Sequence, residues 1–580
     1  MYMQQPMMMP GGSGVPPPMG GPMPGFGGYP SAGGYPGGPG AGYPPAPGAG
    51  GPGGSGKLTV GPIIGKVTDK TARVMAEFDA PLNATCVCTP MTGGAPVKSQ
   101  PVQSSPNKPF IYKLSGLTPG TKYRVNFESS GSQIPHIDSS FKSLPPGGWK
   151  LGRERPRVAV CSCNKVFVTY KIGQEADLWR ELAARVRSGE VEYFFHLGDN
   201  VYADSDMYLI EKGKAEPTEA CHWYTALTLV ESLPPTSWDA HAPQVVEIFR
   251  QIYRETWNHP PTKYVLANVP NIMIYDDHDI RDDFGDREVD YTPGTKDYWL
   301  ARKAYDAILE YQIQLHEDVP HVANPSAPFP TRSYHFHNFG DIGVYFQDVR
   351  GCKTFHRKPG DPKPMLGMDQ WAALNQALAP GGELGSCRLL LLMLPEPVAY
   401  ITNWAAMLGA KYVVDDLYGS WGATPHLEEA TAFMDTFFRW RQAAPGREVL
   451  LIGGDVHQGG WTAIYDTQGE YDNDLMQQLT TSAISNVTQS YVNNMAVTGM
   501  RDVTGTKLGE GGFKFRHYDW CNTRNYAIID GMLDEVGGAT YQAFLVSGNA
   551  DEVGIVEETF GADYRPSMTE DFFKQACTIM

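Results

Sequence analysis

From residue 57 to about residue 147, apolar positions come in short runs: KLTVGPIIGKV, ARVMAEFD, PFIYKLSGL and KYRVNFESS, ending near FKSLPPGG. β-Branched and aromatic residues fill these runs and Gly, Pro and Ser bound them, which predicts a small β-sandwich. Beyond Trp149 the rhythm changes to near-continuous apolar runs, RVAVCSC, YFFHLGD, NIMIYDD, IGVYFQD, RLLLLML and EVLLIGGD. Between them lie stretches with helical spacing: EADLWRELAARVRS, TKDYWLARKAYDAILEYQIQL, MDQWAALNQALA and LEEATAFMDTFFRWRQA. Runs without alternation read as strands covered on both faces, so the pattern predicts a layered α/β domain. NYAIIDGML and ATYQAFLVSG add further strands near the C-terminus, and no period of repeat length runs through the chain.

The first 56 residues show neither rhythm. They contain no Asp, Glu, Lys or Arg, 34 of the 56 are Gly or Pro, and GGYP, GGYP and AGYP recur. Such a stretch buries too little surface to offset its ordering entropy and is expected to be a disordered arm, either a passive spacer or a segment whose Tyr and Pro make weak contacts with protein partners or with other copies of itself. The expected organisation is therefore an arm at 1–56, a β-sandwich at 57–147, an α/β domain at 148–535, and C-terminal strands with a tail at 536–580. LSGLTPGTKYRVNFE, with TARVMAEF before it, resembles a fibronectin type III-like domain, a likeness of fold and not of chemistry.

Charge narrows the function. At a formal −17 and a pI near 5.3, the chain lacks the Lys and Arg excess that holds a phosphate backbone, so nucleic acid is not expected as a stable partner. No stretch reaches the roughly 20 apolar residues that span a bilayer, and the N-terminus lacks a secretory pattern, so a cytoplasmic protein is expected. The nine cysteines (86, 88, 161, 163, 221, 352, 387, 521 and 577) form no CxxC pair, which fits a reduced compartment better than a disulfide framework.

The chemistry gathers where the predicted strands stop. Cys163 follows RVAV, Asp199 follows YFFHLG, Asp276 and Asp277 follow NIMIY, and Asp455 follows EVLLIGG. Side chains at carboxyl ends of strands in an open α/β sheet can converge on one site. One such Asp is usually a turn or cap residue, but several buried carboxylates together need cations. Carboxylates suit Ca²⁺, Mg²⁺ or Mn²⁺, whereas Cys, Tyr and His favour a transition metal, so the mixed set suggests two unlike ions with Asp199 of GDNVY as a bridge. The densest part is 271–286, NIMIYDDHDIRDDFGD, with six Asp in eleven residues.

These motifs, Ser-Cys at 162–163, GDNVY at 198–202, DDHD at 276–279 and GDVH at 454–457, in that order resemble the alkaline phosphatase D (PhoD-like) metallophosphatase family. FQDVRG at 346–351 and MDQWAALNQAL at 368–378 support the likeness, which covers roughly residues 57 to 535. It implies a metallophosphoesterase core of two β-sheets flanked by helices, acting as an alkaline phosphatase or phosphodiesterase on a phosphoester substrate. It also implies that Cys163, Asp199, Tyr202 and His457 hold an iron(III)-like ion, with Asp199 bridging to a second site completed by Asp277 and Asp455, calcium or another divalent ion. His278 stands where related dinuclear phosphoesterases place the phosphate contact and proton donor. A metal pair lowers the pKa of bound water and orients the hydroxide in line with phosphorus. Asp276 is a candidate ligand or orienter of ligands, Arg350 a candidate phosphate contact or an ion-pair partner of Asp348 or another carboxylate. The family often carries Asn shortly after DDHD; this chain has Asp282 and Asp283, which makes Asp283 a candidate extra ligand.

Other readings fare worse. An EF-hand register would put Ile280 at the first ligand position, because Gly285 is the only glycine of the cluster. GxxxxGK[ST], HExxH and GxSxG are absent. His196 reads as an interior hydrogen-bonded residue, Cys161 as a buried structural one, and His517 has no spacing argument. The remaining class is a metal-stabilised scaffold targeted by its termini. The last four residues, Cys577-Thr578-Ile579-Met580, match a C-a-a-X pattern favouring farnesyl. A single lipid on Cys577, without a polybasic run, predicts reversible association with the cytosolic face of a membrane.

Overall fold

Two sheets face each other across the middle of the protein, and their facing sides share one apolar core. The structure is a computed structural model and describes residues 56–166, 177–205, 221–319, 333–412, 415–471, 474–486, 507–548 and 555–562, all within a unit spanning 52–580. The expected arm, the C-terminal tail with Cys577, and part of the segment between Ser205 and His259 lie outside the described residues.

The first sheet has six strands in the order Asn271–Met273, Tyr193–His196, Arg157–Cys161, Arg524–Leu533, Ala539–Gly548 and Ile555–Gly561. Its first three strands are parallel and the rest antiparallel. The second sheet has eight, in the order His335–Asn338, Ile342–Phe346, Leu389–Leu394, Glu448–Gly453, Leu475–Thr480, Gly459–Asp466, Phe513–Cys521 and Lys507–Leu508. Four adjacent strands, from Ile342–Phe346 to Leu475–Thr480, run parallel.

Alternation explains why these strands are apolar throughout. Leu391, Met393, Leu450 and Ile452 point inward to meet Val158, Val160, Phe195 and Ile272 of the first sheet. Leu390, Leu392, Val449 and Leu451 point outward onto Trp371 and Leu374 of helix Gly367–Leu378 and onto Phe433 and Phe437 of helix Leu427–Gln442. Ala159, Cys161 and Phe194 do the same on the other side, against Trp179 and Leu182 of helix Trp179–Ser188. The result is a helix, sheet, sheet, helix stack in which each fully buried Leu, Ile or Phe contributes about 1.5–3 kcal/mol.

Two details depart from the sequence reading. The boundary expected at residue 535 falls in the hairpin turn between Arg524–Leu533 and Ala539–Gly548, which pair along their whole length. The strands beyond it are thus the outer part of the first sheet and not a separate segment. The stretch before Asn271 carries three helices, His222–Val230, Ala242–Trp257 and Pro260–Asn268, where no helix was expected.

Residues 58–142 are all β. Leu58–Val67, Thr71–Phe78 and Pro109–Ser115 form one sheet; Asn83–Pro90 and Lys122–Ser129 centre another. Val74, Phe78, Tyr112, Cys86, Val125 and Phe127 fill the space between them. This part is tied to the α/β core by polar groups as well as apolar ones. Buried Glu77 accepts from Arg254 Nε at 2.7 Å and from the Tyr311 hydroxyl, and the Tyr193 hydroxyl donates to Val67 O at 3.0 Å.

Candidate metal centre

Strand register places the site. Cys161, His196 and Met273 are level with one another in the first sheet, and Leu394, Gly453 and Thr480 are level in the second. Two or three residues past those six strand ends stand Cys163, Asp199, Asp276, Glu396, Asp455 and Ser482. The loops turn sharply to achieve this: Cys163, Asp199, Asp455 and His457 all have left-handed backbone, at φ 56°, 50°, 67° and 53°. Non-glycine residues rarely adopt this conformation, and it concentrates where side chains are held for function. Gly198 is required beside Asp199, because a Cβ there would lie 2.5 Å from the Asp276 Cβ.

The side chains meet in overlapping groups. Ligand atoms of Cys163, Asp199 and His457 lie within 4.8 Å of one another, and so do those of Asp199, Asp276, Asp277 and Asp455. Asp199 belongs to both, and to a third group with Asp277 and His278. Asp199 Oδ2 accepts from the Tyr202 hydroxyl at 2.8 Å and from Cys163 Sγ at 3.4 Å, and the same hydroxyl is 3.2 Å from His457 Nε2. Asp199 Oδ1 is buried with no hydrogen-bond partner. A carboxylate oxygen left this way in a protein interior is costly, and a cation shared with the neighbouring donors would satisfy it.

Electrostatics agree. Burial pushes the Asp199 and Asp455 carboxyls well above their ordinary range; for Asp199 the nearby His278 opposes this and Asp277 and Asp276 add to it, and for Asp455 Asp276, Asp277 and Glu396 add to it while Arg350 opposes. Burial likewise raises the Cys163 thiol, with Asp199 and Asp455 adding to it and Ser162 and Ser482 opposing. Ser482 Oγ accepts from the His457 backbone N–H at 2.9 Å and stands 3.0 Å from Cys163 Sγ, so its hydroxyl proton is free to point at the sulfur.

His278 sits beside the carboxylate groups, 4.3 Å from the Tyr202 ring centroid. Its Nδ1 is 2.9 and 3.0 Å from the two oxygens of buried Asp204. Burial opposes the imidazolium, but Asp204, Asp277 and Asp199 together override it and hold His278 well above the ordinary histidine range. Asp204 was not singled out from sequence; it is the second residue after Tyr202, and only the fold brings it to a loop more than 70 residues away.

The six aspartates of 276–286 divide by partner. Asp276 and Asp277 lie in the four-carboxylate group with Asp199 and Asp455 that could hold a cation. Asp279 accepts from Asp276 N–H at 2.9 Å, from Gln312 Nε2 at 2.8 Å and from the Asn200 and Val201 N–H groups at 3.3 Å, locking the GDNVY and DDHD loops together. Asp282 stands 3.6 Å from His278 Nε2. Asp283 lies outside the groups that contain Asp199, with its carboxylate 2.7 Å from Arg287 Nη2 and its N–H donating to Asp277 Oδ2 at 2.9 Å. Asp286 pairs with Lys353.

Arg350 is fully buried beneath this loop. Its guanidinium reaches Asp276 at 2.5 Å, Glu396 at 3.2 Å, Asp277 at 3.3 Å and Asp286 at 3.9 Å. Asp348 accepts only its backbone N–H, at 2.9 Å, so the side chain pairs with other carboxylates. Elsewhere, His196 Nε2 bonds Asn271 Oδ1 at 3.1 Å, Cys161 packs in the outer apolar layer, and His517 lies between Thr462 and the Tyr400 carbonyl, at 2.7 and 2.8 Å.

Comparison with known proteins follows the same line. A family model described as PhoD-like phosphatase matches residues 158–517. The solved structure of PhoD superposes with a TM-score of 0.58 at 14% identity, covering 88% of this chain and 90% of that one. A purple acid phosphatase, PPD1 from yellow lupin (Lupinus luteus) seeds, superposes at 0.50 and 10% identity, covering 88% and 74%. At such identities these likenesses establish the fold. No curated protein matches the chain. Fold and site together define a metallophosphatase. Within that class the chain belongs to the PhoD-like phosphatase family.

Proposed function

We propose that this protein hydrolyses phosphoesters with water, using two unlike cations that share Asp199. The observation that carries this reading is the Asp199 carboxylate itself, common to both donor groups and left with one buried, unpartnered oxygen. Donor chemistry fits the rest. Asp277, Asp455 and Asp276 are hard oxygen donors suited to calcium or another divalent ion, whereas Cys163, Tyr202 and His457 suit a transition metal such as iron(III).

Bound there, such a pair supplies charge to offset the phosphoryl oxygens and a nucleophile drawn from water. The chain's own residues do the remaining work. Asp199 and the backbone of its left-handed loop hold the donors at fixed spacing, and Ser482 directs its hydroxyl toward the Cys163 sulfur. Asp204 holds Nδ1 of His278, which leaves Nε2 to donate a proton to the departing alkoxide, a contribution of about 10²–10⁴-fold. Arg350 acts from below, fixing Asp276 and Asp277 and lowering their mutual repulsion.

The test compares the purified protein with Asp199→Asn on a phosphate monoester and a diester, before and after chelation and cation return. The reading predicts turnover that chelation removes, cation return restores, and Asp199→Asn abolishes. Turnover that survives both chelation and Asp199→Asn overturns it.

A further inference from the structure

The cations in and around the loop 276–286 are already engaged. Arg350 faces Asp276, Asp277, Glu396 and Asp286, Arg281 faces Asp290, Arg287 faces Asp283, and Lys353 faces Asp286. Arg357 donates to the Gly351 and Lys353 carbonyls and lies over the Tyr291 ring. Lys165 differs from all of these. Among the described residues no carboxylate lies within ion-pair distance of its ammonium, which stands over the Tyr202 ring, 5.3 Å from the centroid.

The fold fixes that position from both sides. Lys165 is the second residue after Cys163, on the loop that leaves strand Arg157–Cys161. Before it, the Asn164 N–H donates to the Asp199 carbonyl at 2.8 Å and Asn164 Nδ2 to the Asn200 carbonyl at 3.2 Å. After it, Val166 packs in the apolar layer with Trp179. The half-buried Lys165 is thus carried by a backbone tied to the Asp199 loop. The ring under its ammonium also meets His278, at 4.3 Å between centroids, and bears the hydroxyl that donates to Asp199 Oδ2 at 2.8 Å. The ammonium's charge reaches Asp204, but that carboxylate is taken up by His278 Nδ1 and the Asp282 N–H. One aromatic ring therefore separates an uncompensated ammonium from the shared Asp199 carboxylate. An aromatic face orients an ammonium without neutralising it, which leaves the charge to an arriving anion.

We propose that Lys165 is a substrate-binding residue: its ammonium meets a non-bridging oxygen of the phosphoryl group and favours dianionic monoesters over monoanionic diesters. The proposal rests on the phosphatase reading above and deepens it by naming the substrate class of that same site. Near neutral pH a monoester carries one more negative charge than a diester, and a charge-assisted hydrogen bond strengthens with that charge. Lysine suits the contact, because its ammonium is a point charge on a flexible stem. Sequence offered Arg350 for this task; the geometry commits Arg350 to carboxylates and points to Lys165 instead.

The experiment measures kcat and KM of the full-length, metal-loaded protein on p-nitrophenyl phosphate and methyl p-nitrophenyl phosphate, which share a leaving group and differ by one charge. It compares wild type with Lys165→Met, which keeps the stem on the Tyr202 ring, and Lys165→Arg, which keeps the charge, each at low and high salt. The proposal predicts that Lys165→Met lowers the monoester-to-diester ratio of kcat/KM by about tenfold, mainly through KM of the monoester, and that Lys165→Arg retains most of the ratio. Salt should lower the ratio more steeply in wild type than in Lys165→Met. Residual diester turnover by Lys165→Met shows that it folds. An unchanged ratio in Lys165→Met, an equal loss on both esters, equal salt slopes, or loss of the ratio in Lys165→Arg overturns the assignment. Hydrolysis of neither ester by metal-loaded wild type overturns the phosphatase reading itself, and the role of Lys165 with it.

Discussion

Replacing Arg350 with Met removes one positive charge from the middle of four carboxylates while keeping most of the side-chain volume. Arg350 is 1% exposed, and its guanidinium is 2.5 Å from Asp276, 3.2 Å from Glu396, 3.3 Å from Asp277 and 3.9 Å from Asp286. Taking one partner from a buried ion pair costs about 3–5 kcal/mol, because the other charge stays buried and unpaired. Arg350→Met is therefore expected to lose about 3–5 kcal/mol against urea in chelator. Saturating divalent cation should recover part of that loss, since a ligand bound only by the folded state adds RT ln(1 + [L]/Kd), and removing a neighbouring positive charge tightens cation binding. The assay is a urea titration of wild type and variant with chelator and with excess cation, alongside cation affinity by calorimetry. If Arg350 instead gripped substrate phosphate, the variant would raise KM and leave both stability and cation affinity unchanged. That outcome, or weaker cation binding in the variant, refutes the reasoning.

Three further outcomes follow. Asp204→Asn removes the charge that most strongly holds the His278 proton, so the alkaline limb of the rate profile should move to lower pH, with a smaller loss of kcat than in His278→Asn; an unmoved limb rules out the proton-donor role. The three buried imidazoles of His316, His335 and His337 form a contiguous cluster, with His335 pushed down to about 3 by burial and the other two well below the ordinary range. Their folded values lie below the unfolded one, so the stability they lend is full above about pH 6.5 and falls as pH drops, by up to about 1.4 kcal/mol per pH unit per histidine. Urea midpoints at pH 7 and pH 5 should show that fall, and His316→Leu, which deletes two unpartnered buried nitrogens, should raise the midpoint and flatten the slope; equal slopes contradict the assignment.

The site was legible where chemistry and strand ends coincide. GDNVY, DDHD and GDVH each place a ligand type just past an apolar run, and the left-handed turns at Asp199, Asp455 and His457 explain why the run stops there. Asp204, Glu396, Ser482 and Asn486 carried no such signal. Their roles come from contacts across the fold, such as Asn486 Nδ2 at 3.2 Å from His457 Nε2, and a Ser or Asn in a loop reads as a turn residue until its partner is known. The aspartate cluster shows the same limit: spacing alone does not reveal that Asp279 bonds backbone while Asp283 faces Arg287. Of the helices at 222–268, His222–Val230 and Pro260–Asn268 are short and carry little apolar periodicity, whereas Ala242–Trp257 buries Val245, Val246, Phe249, Ile252, Tyr253 and Trp257 at helical spacing and was legible in the sequence. The strand Asn83–Pro90, with Cys and Thr in place of Val and Ile, was missed as well.

The claim on which the account turns is that Asp199 joins two different cations. Anomalous scattering from crystals of the purified protein, recorded on either side of the iron edge and at long wavelength for calcium, tests it directly. The account predicts two peaks about 3.5–4 Å apart, both bound by Asp199, with the transition metal on the Cys163, Tyr202 and His457 side and the other ion between Asp277 and Asp455. A single peak, or a pair that does not include Asp199, would contradict it.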